Sequence, residues 1–164
     1  IYSADQRIPV FYRLLPGNIR DVKAFKNTLV QAGIKKAVII ADKGFYSRGN
    51  IGLLSAEKLS FIIPMKRDNP LIDYSSIVDN TFKDKGKFFQ YEKRIIWHQS
   101  FEAEQYRLYL FLDDALKLRE ETDYISRIKN APDGNTPEKY QQKRNTFGTI
   151  AFLCDDKQGN PQEP

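Results

Sequence analysis

The chain has 164 residues, 41% of them hydrophobic and 29% charged, which suits one ordinary domain with a real core, or a core plus a small insertion, and excludes a disordered polymer. With 26 Lys and Arg against 21 Asp and Glu the net charge is +5, which favours a polyanionic partner, a basic domain without one being the plain alternative. No run approaches the roughly 20 apolar residues of a membrane helix, no signal peptide is visible, and with Cys154 and His98 each the only residue of its kind an internal disulfide and a histidine-rich zinc site are excluded.

The start at Ile1, without Met, suggests a processed chain or an excised fragment, and one cysteine fits a reducing compartment. Ser3 to Gln6 reads as a hairpin turn into a strand over Ile8–Leu15. Pro16-Gly17-Asn18 ends that strand. Asn18 is a good N-cap for a helix with Val22, Phe25, Leu29 and Ala32 on one face and Gly33 at its C-cap. The run Ala37-Val38-Ile39-Ile40-Ala41, bounded by turn residues, reads as a buried parallel strand. A second helix is expected from about Ser47 to Lys58, with Ile51, Leu54 and Leu59 inward, followed by a strand over Ser60–Met65.

Strand and helix thus alternate over the first 65 residues, which implies crossovers and a partly parallel sheet. After Lys66-Arg67-Asp68-Asn69-Pro70 the character changes. Polar and apolar residues alternate from Thr81 to Asp113, with turn signals at Lys85-Gly86 and near Ser100. Antiparallel strands are expected at Phe88–Tyr91, Arg94–Trp97 and Tyr106–Leu112. An amphipathic helix over Ala115–Ile128 carries Leu116, Tyr124, Ile125 and Ile128, and Pro132 to Asn135 is a loop. One more strand, Phe147–Cys154, precedes a polar tail.

Asp42 is the first candidate for chemistry, because ligands of α/β sheets gather at the carboxyl ends of parallel strands. It reads either as a cap that shapes the next turn or as a metal ligand, one of the one or two protein carboxylates a magnesium ion takes. Gly44 would let the backbone turn sharply beside it. Lys43, Arg48, Lys66 and Arg67 are candidate DNA-phosphate contacts or solvated surface charges. Trp97, near Lys93 and Arg94, either packs in the core or stacks an unpaired base. Cys154 reads as a packed strand residue, Asp113-Asp114 as a helix N-terminus, and Glu120-Glu121 as a solvated face rather than acid–base machinery.

Three ordered blocks carry a resemblance: Pro9-Val10-Phe11-Tyr12-Arg13-Leu14-Leu15-Pro16-Gly17-Asn18-Ile19-Arg20-Asp21, then Ala41-Asp42-Lys43-Gly44-Phe45-Tyr46, then Phe61-Ile62-Ile63-Pro64-Met65-Lys66-Arg67. Together they resemble the middle of a bacterial insertion-sequence transposase of the insertion-sequence-four type. The likeness covers residues 1–67 and, loosely, Phe147–Cys154. It implies an α/β fold: an incomplete RNase H-like core over residues 1–70, a β-rich insertion with one helix over 71–145, and a return strand with a polar tail over 146–164. Asp42 matches the second Asp of the Asp-Asp-Glu set. The first Asp is expected on a strand before Ile1.

The Glu is expected in a helix with the signature Tyr-x2-Arg-x3-Glu-x6-Lys. Tyr91 and Arg94 match its first spacing, but His98 stands where Glu is needed. Tyr124 and Arg127 match too, but Ala131 stands in that place. The helix is therefore expected after Pro164, and the isolated fragment should be inactive. The resemblance further implies two Mg²⁺ ions roughly 3.5–4 Å apart, transposon-end and target DNA as partners, a homodimer in the synaptic complex, no membrane, and a bacterial cytoplasmic protein that joins the nucleoid when bound to DNA. A non-catalytic nucleic-acid-binding module is the alternative. A phosphatase or nucleotide-binding domain is the third, and it lacks a glycine-rich phosphate loop. A transposase core should present Asp42 openly at the end of a central strand. A binding module should show Asp42 in a local cap and the basic residues around Trp97.

Overall fold

The computed structural model describes residues 1–3, 6–9, 27–28, 31–33, 38–130 and 134–155. It divides into two compact units, residues 1–63 and 64–164. The first unit holds a parallel pair of strands and a short antiparallel hairpin, the second holds antiparallel strands, and helices accompany both, so the fold is mixed α/β as the sequence implies.

In the first unit, β1 (Tyr2–Ser3) and β2 (Ile8–Pro9) form the expected hairpin. The continuation to Leu15 and the helix cap at Asn18 lie outside the described residues. Of the first expected helix, residues 27, 28 and 31 are described and helical. Ala32 N–H donates to Thr28 O at 2.9 Å, and Gly33 then takes a φ of +64°, the left-handed stop that favours glycine.

Strand β3 (Val38–Ile40) pairs in parallel with β4 (Ser60–Pro64), Ile39 opposite Phe61. Between them runs α1 (Arg48–Ala56). Ser47 Oγ caps it by accepting from Asn50 N–H at 3.1 Å, and Ile51 and Leu54 face inward with Leu59, Phe61 and Ile63. Each such side chain contributes roughly 1.5–3 kcal/mol on burial.

One expectation is corrected here: β3 is parallel but not buried. Val38 is 52% and Ile40 70% exposed. Burial of a parallel strand needs neighbours on both edges and cover on both faces, and among the described residues β3 has a strand partner on one edge only.

The second unit is an antiparallel meander of β5 (Lys87–Tyr91), β6 (Arg94–Ala103), β7 (Tyr106–Asp113) and β8 (Thr149–Cys154). Short helices α2 (Ser75–Val78) and α3 (Phe82–Lys85) precede it. Helices α4 (Asp114–Asn130) and α5 (Pro137–Lys143) separate β7 from β8. Leu108, Leu110, Leu112, Ala151 and Leu153 alternate onto the buried face.

The turn expected near Ser100 does not occur: Ser100 pairs with Tyr109 and β6 runs on to Ala103. Both hairpins instead turn on charged residues held at positive φ, Glu92 and Lys93 in one, Glu104 in the other. Strand β8 starts at Thr149 rather than Phe147, because Gly148 has a φ of +71° and Phe147 turns into a ring cluster with Tyr124 and Tyr140. On α4 only Tyr124 is buried, and Ile125 is exposed.

The opposite face of the meander carries a row of rings. Phe89 and His98 both contact Phe111, which in turn meets Phe152 edge-on at 5.8 Å. Burial among these rings, reinforced by the positive charge of Lys87, holds the His98 imidazole below its ordinary value of 6.5. The folded state thus binds this proton less well than the unfolded chain. The stability it confers is complete above pH 6.5 and is lost as pH falls through the lower folded value. Urea titrations from pH 7.5 to 5 should show stability falling with pH, and H98F should flatten that slope.

Candidate active site

Asp42 follows β3 by two residues and opens a 3-10 turn, Lys43–Phe45. Its Oδ1 accepts from Gly44 N–H at 2.9 Å, and its carbonyl accepts from Phe45 N–H at 2.9 Å. The residue is exposed, and no other hydrogen bond to its carboxylate is found among the described residues. Asp42 therefore caps its own turn through one oxygen and presents the carboxylate at the surface beyond a parallel strand.

Gly44 is not needed for a left-handed backbone. It sits in a helical turn, and a Cβ there would lie 3.6 Å from Asp42 Oδ1, an ordinary contact. Its missing side chain leaves the approach to that oxygen uncrowded.

The turn is tied to α1 by a residue the sequence reading passed over. Asn50, buried on the first turn of the helix, donates Nδ2–H to Phe45 O at 2.7 Å. The spacing Ser47-x-x-Asn50 was its only signal, and it marks a helix cap rather than a link to Asp42. Lys43 and Arg48 are exposed on the same turn–helix segment.

The remaining candidates lie in the second unit. Lys66 is exposed. The Arg67 guanidinium forms a bidentate pair with Glu120, both bonds 2.9 Å, and its Nε donates to Thr149 O at 2.8 Å. Glu120 Oε2 also accepts from Gly148 N–H at 2.8 Å. Glu120 is thus no solvated residue, and with Arg67 it fastens α4 to the start of β8.

Arg94 donates to Asp113 Oδ2 at 2.6 Å and lies 3.7 Å from Glu92. Trp97 is half-buried. Phe88 packs on it at 5.1 Å, and the ammonium of Lys83 lies 5.8 Å from its ring centroid while pairing with Asp114. A cation does sit at Trp97, then, but Lys83 and Arg94 are both in ion pairs with neighbouring carboxylates.

A divalent cation with hard oxygen ligands fits Asp42 as one ligand position. Among the described residues no group of three Asp, Glu, His or Cys side chains is arranged to hold a metal. The described residues fit one ligand and not a complete site. No described helix is long and apolar enough to cross a membrane.

No curated protein and no solved structure matches the chain. A family model described as a transposase DDE domain matches residues 1–147. That span holds the Asp42 turn and all of the mixed α/β architecture up to the start of β8, and the chain belongs to the transposase DDE domain family, enzymes that cut and join DNA in transposition.

Proposed function

We propose that Asp42 is the second carboxylate of the Asp-Asp-Glu set in a bacterial transposase of the insertion-sequence-four type. The observation that carries this reading is an exposed carboxylate just beyond a parallel strand, on a turn with an uncrowded approach. Magnesium, two ions in the complete set, would supply charge neutralisation at the phosphate and a nucleophilic oxygen at neutral pH. On this chain Asp42 offers a hard oxygen ligand, and its turn holds that ligand in place before any ion arrives.

Lys43, Arg48 and Lys66 serve in this reading as DNA-phosphate contacts, positioning rather than specifying. Arg67 and Arg94 join them only by exchanging their present carboxylate partners for phosphate, and Trp97 only by exchanging its Phe88 and Lys83 contacts for a base. The whole transposase acts on transposon-end and target DNA as a homodimer at the bacterial nucleoid, and the 164-residue chain by itself is inactive. The rival, a non-catalytic nucleic-acid-binding module, draws on the cap at Asp42 and the cation at Trp97.

The two separate on one substitution. Asp42→Asn keeps an oxygen for Gly44 N–H and should leave thermal stability unchanged. In the complete transposase, Mg²⁺-dependent cleavage of transposon-end DNA should fall to background while DNA binding persists. Cleavage near the wild-type rate would remove Asp42 from the chemistry and leave the binding-module reading.

A further inference from the structure

We infer that Asn50 is a positioning residue for Asp42, an inference that rests on the reading of Asp42 as a metal ligand. The linkage runs through the backbone of one residue. Phe45 N–H is bonded to Asp42 O at 2.9 Å, and Phe45 O is bonded to Asn50 Nδ2 at 2.7 Å. The same residue is thus fixed at one end to the candidate ligand and at the other to α1.

Helix α1 is itself anchored. Ile51 and Leu54 lie in the core of the first unit, and Ser47 caps the helix through Asn50 N–H and Ile51 N–H. Asn50 is 6% exposed, so its amide sits where an apolar side chain would ordinarily add more stability. An amide there is explained by the acceptor it satisfies. Without it, Phe45 O loses this bond to α1, and the 3-10 turn leans more on its own short-range bonds, whose geometry is poorer than that of an α-helix.

The chemistry needs such a brace. Outer partners that orient a metal ligand are worth about 10–100-fold in metal affinity. A carboxylate on a free turn samples many orientations, and one on a turn bolted to a packed helix samples few. Among the described residues Asp42 orients its carboxylate only through Gly44 N–H at 2.9 Å, so the turn's own rigidity sets where the carboxylate points.

The test uses this chain, labelled for NMR, with Mn²⁺ as the probe. In the wild type, Mn²⁺ should broaden the amides of Lys43, Gly44 and Phe45 first, and D42N should abolish that local effect. N50S should raise the Mn²⁺ concentration for half-broadening about tenfold and speed hydrogen exchange at Gly44 N–H more than at the core amides. Ile51→Val, which weakens α1 without touching the turn, should change neither measure relative to global stability. N50L keeps the approximate volume and removes the donor without adding a charge or a metal ligand, and it repeats the test if N50S does not fold.

The two ideas fail differently. If D42N leaves the broadening intact, the metal-ligand reading is lost and the inference goes with it. If D42N abolishes the broadening while both Asn50 variants bind Mn²⁺ as the wild type does, with Gly44 exchange unchanged, Asp42 keeps its role and Asn50 is only a packing residue.

Discussion

Gly148→Ala should destabilise the second unit by about 2–5 kcal/mol, combining the left-handed penalty of a non-glycine residue with overpacking. Two independent constraints meet there. The backbone φ is +71°, and a Cβ would lie 2.5 Å from Lys117 Cβ and 2.6 Å from Asp113 O. Neither neighbour is the far end of a flexible chain. Lys117 Cβ is fixed to α4, and Asp113 O belongs to the end of β7. Gly148 is also held on both sides, its N–H by Glu120 at 2.8 Å and its carbonyl by Asp113 N–H at 2.9 Å. The variant can therefore relieve the clash only by breaking a bond that closes the unit. Urea denaturation should show a lower midpoint with an unchanged slope. A loss below 1 kcal/mol would mean that α4 and β8 can move apart cheaply.

Asp113→Ala is the second substitution with a large expected effect, about 3 kcal/mol. One buried carboxylate does two jobs. Its Oδ1 accepts from Ala115 N–H at 2.9 Å and Leu116 N–H at 3.1 Å, capping the first turn of α4. Its Oδ2 accepts from Arg94 at 2.6 Å. Cap loss accounts for about 1–2 kcal/mol. The rest comes from stranding Arg94, discounted because that side chain is 35% exposed and can turn to water. Asp113→Asn keeps the capping oxygen and should lose about half as much. A double-mutant cycle with Arg94→Met checks the division: the coupling should be near 1 kcal/mol, and a coupling near zero would place the whole effect on the cap.

The elements that rest on local periodicity were legible from the residues alone. The Ile51/Leu54 spacing marked α1, and the alternation through Leu108, Leu110 and Leu112 marked β7. Asp113-Asp114 marked the start of α4. Three kinds of feature were not. The hairpin turn at Glu92-Lys93 carries no glycine or asparagine, and its positive φ values come from strand register rather than turn preference. Helix α5 had a signal, with Thr136 as a cap that accepts from Lys139 N–H at 3.3 Å and Pro137 at the first helical position, but seven residues are too few for a hydrophobic stripe to show. Arg67 with Glu120, and Arg94 with Asp113, pair across distances in sequence that no local pattern reports.

The same limit shaped the view of the candidate site. Asp42 stood out because it ends an apolar run before a glycine. Asn50 did not, because a polar residue in the first turn of a helix looks like solvent-facing filler until its acceptor is known. Arg67 looked like a surface cation beside Lys66, since nothing near it in the sequence announces Glu120.

The position of β8 has a consequence for how the protein is made. This strand pairs with β7 on one side, and Ala151 O accepts from Met65 N–H at 2.8 Å on the other. The Arg67 to Thr149 bond spans 82 positions. During synthesis, Leu108, Leu110 and Leu112 emerge from the ribosome well before the strand that seats beside them. The nascent second unit must wait with an incomplete sheet, its apolar rows within reach of chaperones and of other unfinished chains, until β8 slides into the gap.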